Sequence, residues 1–307
     1  TTISGTSGSP DVSSATVQVG QYTLSESAGP ADYTWTGISC AGGALTTDGF
    51  DWLVDVSAGA DVSCTFTNTF APPAGTIVST GPLTRVFTSP DLNCAVNHVD
   101  DTAGEFFGNT ACGTLVATGG ILYGPAEIPA GDGASPRLPF TPISQTPVTG
   151  SGTTGDPYRI VTVVGLGSSG LRATQTDTYV VGQESYRTVV ELENTGATAK
   201  SAILYRAGDC YLNDSDDGFG ANDPTTGSVS CVGANLSGPY PVPSARIIQW
   251  YPLTGGSSYY EAAFHEVWSW IGDRILFPNL CARCTELIDN GAGLSWEVAL
   301  AAGAKVT

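Results

Sequence analysis

The sequence predicts an all-β chain: two or more β-sandwich modules in tandem, with one short helix near residues 258–275. Three observations predict it. Apolar–polar alternation recurs in short runs roughly every eight to twelve residues, broken by Gly- and Asp-rich turns. One segment alone carries apolar residues at helical spacing. The eight cysteines fall into near-neighbour couples: Cys40 with Cys64, Cys94 with Cys112, Cys210 with Cys231, and Cys281 with Cys284. An even count spread this way reads as four local disulfides, although eight cysteines allow 105 pairings. Disulfides persist in oxidising compartments, which places the chain outside the cell, on its surface or secreted.

In the first 70 residues the alternating runs are Val17–Val19, Tyr22–Ser25, Tyr33–Cys40, Trp52–Val56 and Val62–Phe70. The stretch Ala71-Pro72-Pro73-Ala74-Gly75 reads as a linker, residues 71–79, between a first module (1–70) and a larger β-rich one (80–307). In the second module the runs are Leu115–Thr118, Tyr158–Val164, Asp177–Val181, Tyr186–Glu193, Ala202–Tyr205 and Leu294–Leu300. The long loop Gly124–Gly155 intervenes, and loops of that length are usually functional or wrapped on the surface. The predicted helix rests on Phe264, Val267, Trp268, Ile271 and Ile275.

Composition narrows the partners. The 307 residues carry 29 acids against 11 bases, a net charge of −18. Such a surface repels phosphate backbones and anionic membranes, so neither nucleic acid nor membrane insertion is expected. It suits calcium and cationic surfaces. No apolar run approaches the ~20 residues that span a bilayer. With no Met and no signal peptide, the chain reads as processed or trimmed.

Several motifs bear on chemistry. Gly165-Leu-Gly-Ser-Ser-Gly170 matches the dinucleotide pattern, but the Thr-rich stretch after it opens no helix, so a hairpin turn is expected. His265-Glu266 lacks the second histidine of a zinc protease, since Ser269 stands there. Glu261 and His265, four apart on the predicted helix, are expected as a surface pair. Cys281-Ala-Arg-Cys284 invites a redox reading, but no βαβ pattern surrounds it, and it lacks the further ligands zinc needs. No catalytic constellation assembles from the sequence, and no enzyme is expected. The strongest ligand-like cluster is Asp209, Asn213, Asp214, Asp216, Asp217 and Asp223, an oxygen-rich stretch of the kind calcium takes; a solvated acidic turn is the alternative. The late aromatics Tyr259, Tyr260 and Trp270 offer faces for stacking on sugar rings, with Trp268 assigned to the core.

The N-terminal stretch resembles prealbumin-like, Cna-B-type domains of Gram-positive surface proteins. The resemblance rests on Gly20-Gln-Tyr-Thr-Leu-Ser-Glu26, Tyr33-Thr34, Ile38-Ser39-Cys40 and the closing Ser63-Cys-Thr-Phe-Thr-Asn-Thr69. It implies a sandwich whose two cysteines are paired. It also implies an isopeptide acid at Glu26 and an acceptor at Asn68, with ordinary polar roles as the alternative. The chain holds no lysine before Lys200, so the module is expected to lack its first strand. An open edge of that kind invites a strand from another chain. The C-terminal Gly303–Thr307 is one donor, which would bring Lys305 toward Asn68 and Glu26 of the next subunit. The second module is similar to uncharacterised extracellular modules of actinobacteria and related Gram-positives, through Glu105–Thr114, Leu122–Pro125, Leu204–Leu212 and Asp289–Trp296. Together these imply a non-enzymatic fibre subunit, its partners copies of itself, or an adhesin stalk within a longer surface protein. A glycan-binding surface module, with calcium, is the alternative, and an exported hydrolase the more remote one.

Overall fold

The computed structural model describes residues 15–25, 33–47, 52–70, 74–99, 101–237 and 240–307. The chain forms two compact units, Thr1–Pro73 and Ala74–Thr307. Strands account for 55% of it and helix for 7%, as the alternation predicted. All four cysteine couples are disulfide-bonded.

The first unit contains β1 (Gly20–Leu24), β2 (Tyr33–Ala41), β3 (Ala44–Thr47), β4 (Trp52–Val56) and β5 (Ser63–Phe70). β1, β4 and β3 form one antiparallel sheet, and β2 pairs with β5 in another. Cys40 stands directly across from Cys64, so their disulfide staples β2 to β5. Gly42, at φ 78°, turns β2 into β3, a strand too short to show in the alternation. The expected strand at Val17–Val19 is irregular chain instead.

The second unit begins with β6 (Thr76–Val78), β7 (Leu83–Thr88), β8 (Asn93–His98) and β9 (Cys112–Thr118), each antiparallel to the next. β6 takes up the end of the expected linker. Ile77 there is buried against the second unit's core, so the unit starts earlier than the proline-rich composition suggested. The long loop is in part structured: β10 (Ile121–Gly124) pairs with β9 and runs parallel to β11 (Arg137–Pro139), and β12 (Thr141–Gln145) follows. β13 (Tyr158–Gly165) and β14 (Leu171–Tyr179) form the hairpin expected at the Gly-rich motif, closed by Gly170 at φ 71°. β15 (Tyr186–Asn194), β16 (Lys200–Asp209), β17 (Asp217–Asp223), β18 (Ser228–Asn235), β19 (Val242–Trp250) and β20 (Ser257–Ala263) continue the chain. After them come α1 (Phe264–Gly272), β21 (Leu280–Cys281), β22 (Ile288–Leu300) and β23 (Lys305–Val306).

Two sheets result. The larger runs β19-β18-β17-β22-β16-β9-β8-β7-β6, with β10, β11, β20 and β21 attached; the smaller runs β12-β13-β14-β15-β23. One face of the larger sheet packs on the smaller through Val116, Leu204, Val298 and Leu300 against Val164, Leu171 and Leu192. The opposite face, with Leu115, Ala117, Tyr205 and Ala207, packs on Val267, Trp268 and Ile271 of α1. Residues 115 to 117 therefore alternate between two cores, which is why every residue of β9 is buried.

The helix is shorter than its apolar spacing implied. Ser257–Ala263 is strand, because β22 needs a partner along 290–296 and β20 supplies it. Glu261 is thus a fully buried strand residue and does not form a surface pair with His265. α1 spans nine residues and ends at Gly272, beyond which Arg274 adopts φ 60°.

Candidate cation site

Where β16 ends, the larger sheet gathers acids. Asp209 pairs with Gly291 of β22, and Asp217 of β17 pairs with Asp289. Directly opposed residues share a face, as do residues two apart on one strand. Asp209, Asp217 and Asp289 therefore project to the same side. Asp216 precedes Asp217 and acts electrostatically on both Asp209 and Asp289. The disulfide Cys210–Cys231 pins the connecting loop from the other face, where Cys210 packs with Ala292. A Cβ on Gly291 would come within 2.9 Å of Gly208 O and 3.2 Å of Phe264 Cα, so glycine lets β16 and the start of α1 pack closely there.

Three of these carboxylates each hold a buried oxygen without a donor, while Asp217 is exposed. Asp209 is 1% exposed, yet its Oδ1 has no hydrogen-bond partner. The Oδ1 atoms of Asp216 and Asp289 are buried and unpartnered as well. Burial first, then the negative charges of Asp289 and Asp216, pushes Asp209 up to about 8. Burial, Asp216 and Asp217 push Asp289 up to about 6, against the opposing influence of His265. Asp216 is raised by burial and by Asp217. Unpaired buried carboxylates are costly, so a cluster of them calls for protons or a cation.

The other expected calcium ligands are employed elsewhere. Asp214 accepts from the Thr102 hydroxyl at 2.6 Å and from Ala103 N–H at 3.1 Å. Asn213 donates to Ser244 Oγ at 3.0 Å. Asp223 closes the β17–β18 turn, and the Thr225 N–H and Thr226 hydroxyl hold its carboxyl below the usual range. Asp289, absent from the expected set, takes their place.

The aromatic expectation is corrected. Tyr259 and Tyr260 are 6% and 7% exposed, and they face opposite cores. Trp270 is half-buried, stacks on Tyr260 at 5.3 Å, and donates Nε1–H to Leu276 O at 2.6 Å. Tyr259 and Tyr260 therefore pack the interior, and Trp270 packs partly against Tyr260. Trp268 is fully buried, as expected.

Glu261, Cys281 and Cys284 also converge: their ligand atoms lie within 4.8 Å of one another. The two sulfurs are bonded together, so they hold no metal in this state. Glu261 Oε2 lies 3.2 Å from Cys281 Sγ and accepts from Arg283 N–H at 3.1 Å, which anchors the loop from inside. Burial pushes its carboxyl up to about 7. A second acid pair, Asp101 and Glu105, meets Arg246 Nη2, each at 2.5 Å. Burial and then the neighbouring Asp101 push Glu105 up to about 8, with Arg246 opposing.

The C-terminal stretch pairs within its own unit. Lys305 and Val306 form the edge strand β23 beside Glu193 and Leu192 of β15, and Lys305 Nζ lies 2.7 Å from Glu191 Oε1. This departs from the expected strand donor and isopeptide lysine: a two-residue strand gains its hydrogen bonds from the nearest open edge, which is its own.

Residues 1–66 match the family model of a prealbumin-like fold domain. The N-terminal unit is thus similar to such domains, as its resemblance implied. Glu26 of this domain lies outside the described residues, and Asn68 is described as a backbone position in β5, opposite Trp35. No curated protein matches the chain.

Proposed function

We propose that the chain is a non-enzymatic structural segment of an extracellular surface fibre or adhesin stalk. The match of residues 1–66 to a prealbumin-like fold domain carries this reading. Four disulfides support an oxidising location. The charge of −18 favours a soluble, mutually repelling surface. Among the described residues no helix is long and apolar enough to cross a membrane.

In the fibre version, subunits join by strand complementation at the prealbumin-like domain, where the β2–β5 sheet is two-stranded among the described residues. Main-chain pairing supplies affinity and alternate side chains supply register. Such a head-to-tail contact propagates without closing. The donor is a segment other than Gly303–Thr307, which β15 already holds.

The test is the size distribution of native, non-reduced material by light scattering and negative-stain microscopy. Filaments with a regular axial repeat are expected for the fibre version. Uniform monomer removes it and leaves the stalk, whose partners are neighbouring domains of one longer protein.

A further inference from the structure

We propose that Asp209, Asp216, Asp217 and Asp289 bind one Ca²⁺ ion, and that the ion fastens the 210–217 loop to β22. The geometry carries it. Register places three of the carboxylates on one face, across β16, β17 and β22. Asp209, 1% exposed, aims an oxygen with no partner into that cluster, and Asp216 and Asp289 each add another.

A buried acid elsewhere in the same unit shows what the fold does when a carboxylate is only architectural. Asp177, fully buried, accepts from Thr88 Oγ1 at 2.8 Å, Gln175 Nε2 at 2.9 Å and Thr188 Oγ1 at 2.6 Å. Asp209 has no counterpart to any of these donors. A cation would supply all the missing partners at once.

Calcium suits the site better than other ions. The donors are all oxygen, which selects a hard cation. No three of these carboxylates bring ligand oxygens within 4.8 Å of one another, so binding must draw the loop inward. Calcium tolerates six to eight ligands in irregular arrangements, whereas magnesium demands a near-ideal octahedron. Asn213 and Asp214, both at positive φ, form the bend of that loop. The inference is independent of the fibre reading: a stalk or a monomer would bind equally.

Titration calorimetry with CaCl₂ on the full chain tests it. One ion per chain is expected, with Kd on the order of 0.1–1 mM, the range of extracellular modules. Asp209→Asn and Asp289→Asn should each weaken binding at least about tenfold, a loss of roughly 1.4 kcal/mol or more. Asp223→Asn, whose carboxylate serves the β17–β18 turn, should bind like the parent. Absence of binding by the parent chain at ~10 mM CaCl₂, well above that range, overturns the proposal, as does unchanged affinity in both site variants. Equal affinity for MgCl₂ overturns the choice of ion. Should the variants misfold, hydrogen exchange on the parent chain decides. Ca²⁺ should slow the amides of 211–217 above all others, and an unchanged pattern there counts against the site.

Discussion

Asp177 and Asp209 are equally hidden from water and oppositely provided for. The first lies between the two sheets of the second unit and takes three hydrogen bonds. The second lies at a strand end beside two other acids and takes none at Oδ1. Burial alone therefore does not mark a functional acid. What separates architecture from a site is whether the surrounding chain has already furnished the donors.

The sharpest way to break this comparison is to remove Asp177. Asp177→Ala leaves two hydroxyls and an amide without their acceptor. A loss of about 3–5 kcal/mol is expected from denaturant unfolding. A loss below ~1 kcal/mol, the worth of one ordinary hydrogen bond, would mean that the network is dispensable. Next in size is the Cys210–Cys231 bond, which closes a 21-residue separation beside Asp209. Replacing both with alanine should cost about 3 kcal/mol by chain entropy.

Asp209→Asn reverses the sign seen at Asp177. Without added cation, the variant should match or exceed the parent in stability by about 1 kcal/mol, because an amide carries no charge to bury. A clear loss of melting temperature in chelator would contradict that assignment.

Acidity offers a third contrast, at Glu105. Its folded pKa, about 8, lies above the ordinary 4.5, so the folded state holds the proton more tightly than the unfolded chain. Its contribution is present in full below pH 4.5 and is lost as pH rises toward 8. Glu105→Gln should flatten that fall when stability is measured across the interval. An unchanged slope would assign the pH dependence to other acids, Asp209 first. The smallest effect is expected at the surface pair of Lys305 with Glu191: Lys305→Ala should leave the denaturant midpoint nearly unchanged.

Much of this fold was legible in the alternation, and the failures have particular causes. β9 and β16 read as strands through short unbroken apolar runs, Leu115–Ala117 and Ala202–Tyr205, the pattern of a strand buried on both faces. The span 257–263 misled because Tyr259, Tyr260 and Glu261 sit beside a true helical stripe. Their apolar and charged atoms serve two cores and a disulfide loop, a tertiary demand that local spacing cannot show. Asp289 was missed for a related reason: Asp289-Asn-Gly291 has the composition of a tight turn. In the structure it opens β22, held by Asn290 Nδ2 donating to Phe219 O at 2.7 Å. Asp209 and Asp217 were found because they lie near one another in sequence. Asp289, 72 residues beyond Asp217, joins them only through strand pairing.

β22 governs the order in which the second unit can be built. It pairs with β16, β17 and β20, and its thirteen residues reach Leu300. During vectorial synthesis or export, those three strands emerge first and must wait for it, leaving their edges open to misassociation. The unit cannot close until residue 300 has cleared the ribosome. Many of its defining contacts are long-range, so slow, late and concerted folding is the expected kinetic signature. Any truncation before Leu300 should then yield a chain that collapses without settling.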